Sequence, residues 1–134
     1  MNILTLSIKQ KYFDEILAGT KKQEFREVRP NTAKKYVNFM SPSPNGKIYT
    51  NYEDIPEEET WDFAPVKYDA LKLCTGAYKG KRPYMIVEVE SAEAYLITDD
   101  NGEAIVIGEG TEDEYALASI CYNLGKVLEV ELYE

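Results

Sequence analysis

Histidine is absent from the 134 residues. That excludes every serine–histidine and cysteine–histidine nucleophile pair and removes the usual nitrogen ligand of zinc sites. It also rules out a histidine-based pH switch. Any general base must come from Glu, Asp, Lys, Tyr or a chain terminus. Cysteine is almost as scarce. Cys74 and Cys121 stand alone in apolar settings, without the paired spacing of a metal site or the density of a disulfide scaffold. They read as small buried residues in a reducing compartment. Long apolar runs are missing too: Met85 to Val87 and Ile105 to Ile107 are far too short to cross a bilayer. The stretch from Met1 to Ser7 lacks the basic start and apolar stretch of a secretion leader. The expected location is therefore the cytoplasm, with no membrane contact, and no cofactor or metal is called for.

What remains is ordinary globular material, 44% apolar and 29% charged, enough for one domain over residues 1–134 with its own core. The charge is unevenly spread. Residues 1–40 carry +4, residues 41–82 carry −1 and residues 83–134 carry −12, where Lys126 is the sole base. A net −9 disfavours loose binding to long nucleic acid tracts, whereas a locally positive N-terminal face suits a small or well-defined anion.

Ile3 to Ile8 reads as a strand. Tyr12, Phe13, Ile16 and Leu17 recur on one helical face, and Gly19 sits where a left-handed residue ends a helix, which places the helix from about Gln10 to Ala18. Lys22 to Val28 reads as the next strand. Pro30 then fits the first turn of a short helix through Ala33, Tyr36, Val37 and Met40. Ser41-Pro42-Ser43-Pro44-Asn45-Gly46 breaks the chain, and 41–62 reads as a surface insertion, either a lid or a decorated loop, with Trp61 as its packing anchor. Strands are expected at Asp69 to Thr75, Tyr84 to Ala92 and Val127 to Tyr133. Asn101-Gly102 between Tyr95–Thr98 and Ala104–Ile107 signals a hairpin. Thr111 to Glu114 fits a capping box, so 112–122 is either a short helix or extended. The sum is a mainly β chain of six or seven strands with two or three short helices, mostly antiparallel, in a barrel or sandwich.

Gly19-Thr20-Lys21-Lys22-Gln23-Glu24-Phe25-Arg26 carries the most information. Two apart on a strand, Glu24 and Arg26 share a face, with Cα atoms ~6.5 Å apart, and Phe25 is expected to turn the other way into the core. Lys21, at the turn before them, can swing over that face. The cluster is either a recognition site or a solvated ion network worth ~0–1 kcal/mol per exposed pair. A second cluster, Tyr78, Lys79, Lys81 and Arg82 among glycines, either cradles a phosphate and stacks a base or is a solvated hairpin turn.

The pattern Gly19, Lys21, Glu24, Arg26, after a strand and an amphipathic helix, resembles the signature of ASCH domains, relatives of PUA domains. Ile3 to Lys9, Ile16 to Gly19 and Leu124-Gly125-Lys126-Val127 are similar to family members as well. The resemblance implies a small, mostly antiparallel PUA-like β-barrel with one or two helices flanking a cleft lined by Lys21, Glu24 and Arg26. In the family that cleft is proposed to hold RNA, a nucleotide or a modified nucleoside. Arg26 would grip a phosphate or carbonyl edge, Glu24 would accept from an exocyclic amine, and Lys21 would neutralise a phosphate. Some small family members hydrolyse N4-acetylcytidine with a Lys, a Thr and a distant Glu. Lys21 occupies the lysine position as the base of such a reaction, and Glu24 stands where those enzymes have threonine. A third reading is a protein-interaction domain that uses its acidic half as a contact surface.

Overall fold

In the computed structural model, residues 1–40, 48–49, 62–76 and 81–133 are described. They form ten strands and two helices, with about half of the residues in strands, so the chain is mainly β with few helices. The main sheet has the order β1 (Ile3–Ser7), β6 (Ala70–Cys74), β7 (Tyr84–Leu96), β10 (Ala118–Glu131) and β2 (Gln23–Val28). No closed barrel is found among the described residues. The chain divides into two compact units. One comprises Met1–Glu24, Lys67–Ala92 and Tyr122–Glu134, the other Phe25–Val66 and Glu93–Cys121.

In the first unit, alternation in β1 buries Leu4 and Leu6 and exposes Ile3, Thr5 and Ser7. β1 runs parallel to β6, and β6 antiparallel to β7. Register therefore sets Leu4 beside Leu71 and Val87, and Leu6 beside Leu73 and Met85, in two apolar rows across three strands. Helix α1 (Gln10–Ala18) packs Phe13 and Ile16 into the same core, which Tyr122 and Leu124 of β10 complete. Burying each such side chain contributes about 1.5–3 kcal/mol.

In the second unit, β3 (Val37–Met40) pairs with β4 (Ile48–Tyr49) and with β5 (Asp62–Pro65), both antiparallel. The expected helix from Pro30 to Met40 is corrected here. Only Ala33–Tyr36 is helical (α2), and Val37 begins a strand. Tyr36, Val37 and Met40 fit a helical period by coincidence, and pairing on both edges overrides it. Within 41–62, Ile48–Tyr49 is sheet, while 41–47 and 50–61, with Trp61, lie outside the described residues. The Asn101-Gly102 turn forms as read. The Asp99 amide donates to the Glu103 carbonyl, and Asp99 Oδ1 accepts from the Asn101 and Glu103 amides. No helix starts at Thr111. Its hydroxyl donates to the Gly108 carbonyl at 2.6 Å, and the Glu114 carboxylate accepts from the Gly110 amide at 2.9 Å. The chain then continues extended through β9 (Tyr115–Ala116), which pairs with β8 (Val106–Ile107), into β10.

Candidate functional site

Helix α1 ends because Gly19 takes φ +81°, a left-handed conformation that costs other L-residues ~1–2 kcal/mol. Its amide donates to the Ile16 carbonyl at 3.1 Å, and the amides of Thr20 and Lys21 converge on the Glu15 carbonyl at 3.0 and 3.1 Å. Three successive amides thus fix the backbone that carries Lys21. The Lys21 ammonium lies 5.3 Å from the centroid of the Tyr12 ring, within cation–π range.

From Gln23 onward β2 alternates, but opposite to expectation at Phe25. Phe25 is 47% exposed, while Glu24 is 6% exposed and Val28 is buried. Glu24, Arg26 and Val28 therefore form the inward row of β2, and the phenyl ring faces out. A buried carboxylate is rare in folded proteins. Glu24 closes the first unit's share of the strand, and Arg26 belongs to the second unit.

Beside Lys21, within the first unit, lies a cleft of about 340 Å³ lined by Ile16, Gly19, Lys21, Lys22, Glu90, Leu124, Gly125 and Lys126. Neither Glu24 nor Arg26 is among its lining residues. The cleft forms where β2 stops. The Leu124 amide donates to the Lys22 carbonyl at 2.9 Å, after which the chain leaves β10 towards Gly19 and α1. Gly125 keeps this wall thin: a Cβ there would meet Glu88 Oε1 at 2.5 Å and Glu90 Oε1 at 3.0 Å. Among the described residues, no ion pair holds Lys22, Glu88, Glu90 or Lys126. Three lysines, one glutamate, Ile16 and Leu124, together with Gly19 and Gly125, thus line a space in the size range of small-ligand sites.

Lys22, Glu90 and Lys126 were not singled out as ligand contacts from sequence. The run Leu124-Gly125-Lys126-Val127 was the available signal, since three of its residues line the cleft. In the second cluster, Tyr78 and Lys79 lie outside the described residues. Arg82 serves the fold, donating from Nη2 to the Ser7 hydroxyl at 3.2 Å and the Cys74 carbonyl at 3.3 Å. Lys81 is exposed, with its ammonium 5.5 Å from the Tyr133 ring centroid. Among the described residues, no three His, Cys, Asp or Glu side chains gather as metal ligands, and no helix is long and apolar enough to cross a membrane. No protein-family model matches the chain, and no curated protein or solved structure is significantly similar to it.

Proposed function

We propose that the chain is an ASCH-like binding module of PUA-like fold that holds one nucleotide or modified nucleoside, free or within RNA, in the cleft beside Lys21. The observation that carries this reading is the gathering of Lys21, Lys22 and Lys126 around an apolar floor on a chain of net charge −9. Ammonium groups are point charges suited to a phosphate. Glu90 is placed to accept from an exocyclic amine, as carboxylates do from cytosine. Ile16 and Leu124 offer aliphatic surface to the face of a base. A volume of about 340 Å³ suits one nucleotide rather than a strand. Glu24 and Arg26 enter as contacts through the resemblance alone, and Arg26→Ala tests that contribution separately.

The test is a thermal-shift and calorimetric screen of nucleoside monophosphates against free nucleosides. A ligand at a hundred times its Kd adds ~2.7 kcal/mol of stability. The expected result is stabilisation by a monophosphate, an affinity loss of about fivefold or more in Lys21→Ala and in Lys126→Ala, and further weakening by salt. Unchanged affinity in both variants, or no stabilisation by any compound, overturns the reading. The place of Lys21 in the cleft wall also supports a second reading, an amidohydrolase acting on N4-acetylcytidine with Lys21 as base. Release of cytidine that Lys21→Ala abolishes would select that activity over binding alone.

A further inference from the structure

The far end of β10 has a partner on one side only. β2 begins at Gln23, and its chain leaves β10 at the bond between Lys22 and Leu124. Among the described residues, no strand follows β2 along the edge from Lys126 to Glu131. Six residues at about 3.4 Å each give an open edge of roughly 20 Å. Its backbone groups on that side form a ready template for another strand. Leu128 and Val130 share one face of this segment and are 46% and 38% exposed, and Leu132 just beyond it is 38% exposed. Glu129 and Glu131 occupy the opposite face. Proline is absent from the segment and lysine occurs only at its start, so the charges that guard the rest of this edge are Glu129 and Glu131, which repel an acidic strand but not a basic one.

We infer that this edge accepts an extended segment of a partner protein in which apolar residues alternate with lysine or arginine. Backbone pairing supplies the affinity, and alternate side chains supply the selectivity. The apolar positions meet Leu128 and Val130, and the basic positions meet Glu129 and Glu131. A second copy of this chain fits poorly, because pairing two such edges brings the acidic residues of both copies together, and like charges across a strand pair destabilise it.

The probe is a blocked heptapeptide alternating lysine and valine. Its controls are the same peptide with glutamate for lysine, and a lysine peptide with proline at the central valine. Binding is read by fluorescence anisotropy, and pairing by amide hydrogen exchange. The lysine peptide is expected to bind and to slow exchange between Lys126 and Glu131, while both controls fail. Val130→Lys is expected to weaken binding about tenfold. Glu131→Lys should weaken it at least fivefold and gain affinity for the glutamate peptide. Both positions are exposed, so an unchanged melting temperature shows that each variant remains folded. Equal binding of the lysine and glutamate peptides would overturn the proposal, as would binding of the proline control. So would binding without slowed exchange in β10, or self-association that protects this edge without peptide.

Discussion

Tyr84 donates its hydroxyl hydrogen to Glu129 Oε2 at 2.6 Å, while the Lys72 ammonium lies 4.3 Å from its ring centroid. The hydrogen bond to Glu129 is the main reason its pKa is pushed up to about 12, with burial and the negative charge of Glu129 adding to it. The unfolded phenol titrates near 10. The folded state therefore holds this proton more tightly, so the associated stability is fully present below pH ~10 and is lost as pH rises through about 12. A phenolate absorbance titration, taken as the difference between the native chain and Tyr84→Phe, should place the Tyr84 midpoint well above the ~10 of a free phenol. Glu129→Gln should return it towards 10. A midpoint near 10 in the native chain would show that the bond does not persist in solution.

On β2, the placement of Phe25 and Val28 makes a clear contrast. Phe25→Ala should cost under about 1 kcal/mol because the ring is already half exposed, whereas Val28→Ala should cost roughly 2 kcal/mol. Chemical denaturation of the two variants checks this, and the reverse order would mean a one-residue slip of the strand. The misreading of this strand has a physical origin. An aromatic residue between two charged ones reads as the inward residue by hydrophobicity, yet here the inward row is Glu24, Arg26 and Val28. Helix α1, by contrast, was legible to the residue, because its stop signal at Gly19 is local. Strand β3 was not legible, since its conformation depends on pairing with β5, which lies more than twenty positions away. Similarly, the strand expected over Tyr84 to Ala92 runs on unbroken to Leu96 in β7. In the cleft, Lys21 was legible from a local motif, whereas Glu90 and Lys126 reach it only through strand order.

For the molecule as a whole, β6 is the centre of gravity of the first unit: Ala70, Leu71, Leu73 and Cys74 are all buried. Leu71 stands in register with both Leu4 and Val87, so Leu71→Ala should open a cavity bordered by three strands. The expected cost is about 2–5 kcal/mol, read as a fall in denaturation midpoint with unchanged slope. A cost below 1 kcal/mol would contradict this packing. The pairing of β1 with β6 also has a consequence during biosynthesis. Ile3 meets Ala70 in a parallel ladder, which no hairpin can deliver early. At roughly 5–20 residues per second, β1 leaves the ribosome roughly 3–13 s before β6 does. Through that interval Leu4 and Leu6 have no β6 to cover them, and the nascent chain offers them to chaperones.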